Sequence, residues 1–139
     1  MNPATATGSI GLLTQLSRVI YRRATEEVIG MRLKQLIALD HLREETCLQS
    51  GLGAMLMLDP NNCVLLLNDL DDAGYIERRR DPEDRRRHLV EITPAGRKAL
   101  AEAERKLESL EDEVLGNLNA DERVRLHDLL AKSLDGQEE

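Results

Sequence analysis

Residues 56–100, LMLDPNNCVLLLNDLDDAGYIERRRDPEDRRRHLVEITPAGRKAL, decide how this chain folds. Asp59-Pro60 is a helix start. An aspartate oxygen can accept a free backbone N–H, and proline fits the first turn, where its missing N–H is not needed. Cys63, Leu66, Leu67 and Leu70 then recur at helical spacing as one buried face, and Gly74 stands where helices commonly end in a left-handed residue. This predicts a helix of about 14 residues, roughly 21 Å at 1.5 Å per residue. Two strand-like runs follow, residues 75–80 and 88–93. The segment between them, Asp81-Pro82-Glu83-Asp84-Arg85-Arg86-Arg87, joins turn formers to charge, so the pair reads as a β-hairpin with a long basic tip. Thr93-Pro94 is a second cap-and-proline start.

Upstream, Leu12, Leu13, Leu16, Ile20 and Ala24 lie at three- and four-residue steps and predict one helix over residues 9–28, stopped by Gly30. A second helix spans 33–45 with Leu36, Leu39 and Leu42 inward. A short third covers 49–57, weakened by Gly51 and Gly53. Downstream, a long helix from Thr93-Pro94 to Leu115 carries Leu100, Ala103, Leu107, Leu110 and Val114. Asn119 and Glu122 have capping-box spacing and open a last helix with Val124, Leu126, Leu129, Leu130 and Leu134. The expected fold is mainly α with a small β-hairpin wing. It forms a single protomer over 1–139, with a winged helix-turn-helix lobe at 33–93 and a helical dimerisation region at 9–28 and 94–134. Neither helical segment can bury its apolar stripe within so small a winged domain. Pairing two chains is the economical solution, and an intramolecular bundle is the alternative.

Composition narrows the function classes. The chain has 139 residues, no Trp, no Phe and two Tyr, so its core is aliphatic and it lacks the aromatic platforms of single-strand binders. No apolar run approaches the roughly 20 residues of a membrane helix, and MNPATATGSIGLL has no signal-peptide pattern, so a cytoplasmic protein without membrane association is expected. Cys47 and Cys63 are too few for a disulfide framework. They read as half-buried apolar thiols or, less simply, a redox switch, and no Cys or His spacing suggests a metal. No nucleophile–base pair or phosphate loop suggests an enzyme or a cofactor. The net charge of −7 is uneven: residues 102–139 hold 12 acids against 5 bases, whereas residues 1–101 hold 14 of each, and 8 of those bases fall between Arg78 and Lys98. An acidic end masks a locally basic segment, and local charge is what a phosphate backbone feels.

A helix-turn-helix followed by a basic hairpin can place its capped helix in the major groove, about 12 Å wide, and its wing near a minor groove. The run from Leu56 to Leu100 resembles the core of the MarR family (multiple antibiotic resistance regulators): the capped helix, Ala73-Gly74-Tyr75-Ile76-Glu77-Arg78, the wing Asp84-Arg85-Arg86, and Ile92-Thr93 before Pro94-Ala95-Gly96. The resemblance implies a homodimer joined by its first and last helices. It also implies a pseudo-palindromic operator on double-stranded DNA, and release by a small aromatic or phenolic effector in a pocket beside the DNA-binding lobe. Arg86 matches the family's minor-groove arginine, with Asp84 orienting it. Arg85 and Arg87 contact phosphates or face water.

On the capped helix, Asn61 and Asn62 stand at the end where helix-turn-helix readers touch bases, although either can serve only as part of the cap. Leu65 lies one turn on, suited to a thymine methyl, and Asn68 is a lesser candidate. Many relatives carry Ser or Thr and then Arg where this chain has Val64 and Leu65, and this helix has no Lys or Arg and three acids, Asp69, Asp71 and Asp72. Phosphate contacts then fall to the wing or to Arg32, Lys34 and Arg43. The acidic helix also leaves open an interaction dimer with weak or lost DNA binding. For an effector pocket, Arg18, His41 and Met55 are the candidates.

Overall fold

The computed structural model describes residues 8–137; residues 1–7, part of the N-terminal stretch read for a signal peptide, lie outside them. The elements run α1 (Gly8–Arg23), α2 (Glu26–Ile29), α3 (Leu33–Glu44), β1 (Cys47–Leu48), α4 (Gln49–Met55), α5 (Pro60–Asp72), β2 (Ile76–Arg80), β3 (His88–Ile92), α6 (Pro94–Val114) and α7 (Ala120–Leu134). The fold is mainly α with a small antiparallel sheet, as expected. Among the described residues, no helix is long and apolar enough to cross a membrane.

The lobe is built by α3, α4, α5 and the hairpin, with α6 laid across its back. Leu39, Leu42, Leu52, Leu67, Leu70, Ile76, Val90 and Leu100 are essentially sealed from water. At about 1.5–3 kcal/mol for each large aliphatic side chain fully buried, this cluster is the main driving force for the fold. The capped start of α5 forms as its sequence demands: the Asp59 carboxylate accepts the Asn62 N–H at 2.8 Å. Gly53 lets α4 approach α5, since a Cβ there would press on the Cys63 side chain. The turn between these helices passes through Met57 at φ 57°, a left-handed position in a non-glycine residue. At the start of α6, the Thr93 hydroxyl donates to the Gly74 carbonyl at 2.6 Å and accepts the Gly96 N–H at 3.0 Å. Gly96 packs directly under the Tyr75 carbonyl, so any side chain there would collide with backbone.

Two features depart from expectation. The first helix, expected over 9–28, breaks after Arg23. Thr25 is extended (φ −80°, ψ 163°) and starts the separate turn α2, which ends on left-handed Gly30 at φ 87°. The apolar repeat runs through the break because Ala24 and Ile29 both reach the core, and this hides the change of direction. The hairpin also gains a third strand. Cys47 and Leu48 pair with Val90 and Leu89, giving the order β1-β3-β2. A two-residue strand has no period of its own to detect.

By contrast, α1 and α7 bury no residue. Leu12, Leu13, Leu129 and Leu130 face a shared groove between these helices while remaining exposed.

Candidate nucleic-acid interface

The wing is set by its register. Ile76 pairs with Ile92 and Arg80 with His88, so residues 81–87 form the tip. Asp81 organises it. Its carboxylate, on a residue only 7% exposed, accepts the Glu83 N–H at 2.9 Å and the Arg87 guanidinium at 3.0 Å. The first of these closes an Asx-type turn. Backbone bonds from Asp81 N–H to the Arg87 carbonyl and from Arg87 N–H to the Asp84 carbonyl, both 2.9 Å, complete the loop. Arg80 donates to the Arg85 carbonyl at 2.8 Å.

On this frame Asp84 holds Arg86 by two side-chain bonds, Nε at 3.1 Å and Nη2 at 3.2 Å, and also accepts the Arg86 N–H. These bonds hold the Asp84 carboxyl below its usual range, the Arg86 side chain being the larger influence. The Arg86 side chain is 89% exposed and Asp84 only 29%. Such a surface pair adds little stability. Its effect is to aim a solvated guanidinium outward from a rigid turn. Arg87 is instead spent on Asp81 and is a strut of the tip, whereas Arg85 is exposed.

The capped helix α5 is arranged differently. Asn62 donates one N–H of its side-chain amide to Asp59 at 3.0 Å, which ties it to the cap and leaves Asn61 the freer of the two. Val64 and Leu65 are exposed beside it, Leu65 at 54%. Asn68 does not face outward for reading: its oxygen accepts Arg78 at 2.8 Å, and Arg78 also bonds Asp71 at 3.0 Å. Asp69 is paired with Arg32 at 2.8 Å. Two of the helix's three acids are therefore neutralised by cations from α5's neighbours.

The same bonds account for cations expected on phosphates. Arg32 is held by Asp69, Lys34 donates to the Leu56 carbonyl at 3.1 Å, and Arg43 bridges Asp40 and Glu104. Spacing along the chain did not show these inward partners. The role of Asp81 has a signal in the chain, an aspartate before proline at the end of a strand. Wing and helix meet across a cleft of about 320 Å³ bordered by Pro60, Val64, Arg86 and Arg87, so they present one surface.

A second cavity, about 460 Å³, lies behind α5 and is bordered by Tyr21, Arg32, Leu33, Lys34, Asn62 and Leu65 among others. The residues expected to line an effector pocket lie elsewhere. Arg18 is exposed on α1, His41 is half-buried on α3, and Met55 packs against the core at the end of α4. The cavity is formed where α1, α3 and α5 converge, which helix periodicity alone cannot place.

Residues 29–87 match the sequence model of the MarR family. An uncharacterized HTH-type transcriptional regulator of Bacillus subtilis, YdgJ, is 36% identical over 101 residues, 73% of this chain. The chain spans 60% of the length of that relative and 51% of a second, from Thauera aromatica. Among solved structures, a probable transcriptional regulator from Pseudomonas aeruginosa is 31% identical, with a TM-score of 0.71 over 89% of this chain and 96% of that one. Wild-type MarR from E. coli in its apo form is 26% identical, with a TM-score of 0.76 over 88% of this chain and 93% of that one.

Proposed function

The chain belongs to the MarR family of winged-helix transcriptional regulators, which are not enzymes, and from that premise we propose that it works as a homodimeric repressor on a pseudo-palindromic operator. The observation that carries this is the wing tip, where Asp84 fixes Arg86 while leaving the guanidinium in water. A narrow A·T-rich minor groove concentrates negative potential, and an arginine already oriented loses little freedom on entering it. The pairing of Asp69 and Asp71 weighs against an interaction dimer that has lost DNA binding, because the first two turns of the helix present amides and aliphatic groups. The exposed apolar groove between α1 and α7 supports pairing through the terminal helices, with the lobes at 33–93 presented to successive half-sites.

Release by a small aromatic or phenolic acid fits the 460 Å³ cavity, which lies within the 300–1,000 Å³ range of ligand sites. A carboxylate or phenolate there would compete with Asp69 for Arg32 and with the Leu56 carbonyl for Lys34. Asn62 and Leu65 border both this cavity and the reading face, so an occupant that moves α5 alters DNA contact.

The test is a gel shift on the protein's own promoter region and on sites selected from random duplex, run across a salt series. Arg86→Ala is expected to cost about 1–3 kcal/mol of binding, or about 5–150-fold. Wild-type affinity in Arg86→Ala, or no binding by the wild type even at low salt, refutes the proposal.

A further inference from the structure

Away from the DNA-facing surface, His41, Glu45 and Cys47 converge where α3 meets β1. One imidazole nitrogen, one carboxylate oxygen and Sγ all lie within 4.8 Å of one another. Two periodicities produce this meeting. His41 and Glu45 are four apart, His41 in the last turn of α3 and Glu45 capping it, so they stand on one side of the helix end. At Glu45 the backbone becomes extended (φ −161°, ψ 155°), and beyond it residues two apart fall on one side, which brings Cys47 back beside Glu45. The spacing 41, 45, 47 matches no regular metal motif because the chain changes from helix to strand within it.

We propose that His41, Glu45 and Cys47 bind a zinc(II) ion, with water in the fourth position. Thiolate and imidazole donors select zinc-class ions over magnesium or calcium, which prefer oxygen alone. One thiolate and one carboxylate, with a neutral imidazole, cancel the charge of a dication. Tetrahedral zinc with ligands at about 2.0–2.3 Å holds its donor atoms roughly 3.3–3.8 Å apart. The observed triangle closes to that size by side-chain rotation, because His41 and Cys47 are only half-buried and Glu45 is exposed. In the metal-free protein the Cys47 thiol sits 3.5 Å from the Glu45 carbonyl oxygen. Metal binding replaces this weak contact and releases the thiol proton to solvent.

The location gives the ion a structural consequence. β1 pairs with β3 through Cys47 and Val90 and leads directly into α4. An ion at this point fastens the end of α3 to the strand that carries the wing. With three protein ligands and an open fourth position, the site is an exchanging one rather than a closed structural centre.

The experiment uses the untagged, reduced full chain, stripped by a chelator and titrated with cobalt(II), whose thiolate-to-metal absorption reports a cysteine ligand. Saturation at one cobalt per chain is expected, with displacement by zinc and loss of the band in Cys47→Ser. Zinc affinity in His41→Ala is expected to fall at least tenfold, since even outer-shell losses typically cost 10–100-fold. Absence of saturable binding, a band that survives Cys47→Ser, or zinc affinity in His41→Ala within tenfold of wild type overturns the proposal. Should Cys47→Ser fail the circular dichroism check for folding, His41→Ala still decides, because its side chain is half-exposed on a helix surface. Binding is read without DNA, so the outcome is independent of operator recognition.

Discussion

The wing tip and the recognition helix meet the same surface by opposite uses of charge. In the tip, Asp81 is buried and Asp84 is largely covered, and they brace the loop so that Arg86 stands in water. On α5, two of the three acids hold the helix to its neighbours, through Arg32–Asp69 and Arg78–Asp71, and the exposed face offers Asn61, Val64 and Leu65. On the proposed reading the wing supplies electrostatic attraction, whereas the helix supplies shape and apolar contact. Affinity and sequence choice should therefore respond to different residues.

The severest way to break this contrast is Asp81→Ala. It removes the acceptor for both the Glu83 N–H and the Arg87 guanidinium, and is expected to destabilise the fold by about 1–3 kcal/mol. DNA affinity should drop to the level of Arg86→Ala although Asp81 itself is buried within the tip. Thermal melts and gel shifts measure both quantities; unchanged affinity with a loosened tip would show that bracing is irrelevant. Arg78→Ala comes next. Freed of Arg78, Asp71 regains its repulsion and Asn68 loses its partner, so stability should fall by about 1–2 kcal/mol and affinity should weaken more at low salt than at high salt. An affinity loss independent of salt would mean the pair is only mechanical.

Leu65→Ala sharpens the contrast from the helix side. Removing a methyl contact costs about 1 kcal/mol, roughly fivefold, and should relax base preference at one position of a selected site. The slope of affinity against salt should stay as in wild type, because no phosphate partner is lost. A change in that slope would assign Leu65 to the electrostatic half of the surface.

The smallest effect concerns pH. The folded state lowers the Asp84 carboxyl below its ordinary value, so its contribution is fully present above that value and is lost only as pH falls through the lowered one. Wing order and wing-dependent binding should thus be flat from about pH 5 to 8 as far as Asp84 is concerned. An NMR titration of the Asp84 carboxyl carbon checks this, and a midpoint above the ordinary aspartate value would contradict the clamp.

Much of this organisation is visible along the chain, for identifiable reasons. Asp59-Pro60 and Thr93-Pro94 start helices through contacts spanning three residues, and the structure repeats them bond for bond. Asp84 and Arg86 are two residues apart, so their pairing is local as well. The failures are equally specific. Thr25 breaks the first helix without interrupting the apolar repeat, because Ala24 and Ile29 both remain buried across the turn. Arg32 and Arg43 look like free cations until the fold brings Asp69 and Glu104 to them over long separations. The 460 Å³ cavity is a product of converging helices, and Arg18, His41 and Met55 lie outside it.

The sequence by itself determined the order of elements, the caps, the wing and its outward arginine, because each depends on neighbours within a few residues, where backbone geometry dictates who meets whom. Tertiary structure alone decided which charges are paired, which asparagine Arg78 engages, and that His41, Glu45 and Cys47 form one cluster. Those outcomes depend on how separate elements, or two unlike periodicities, are brought together in space. Chain spacing carries no record of that distance until the core has packed.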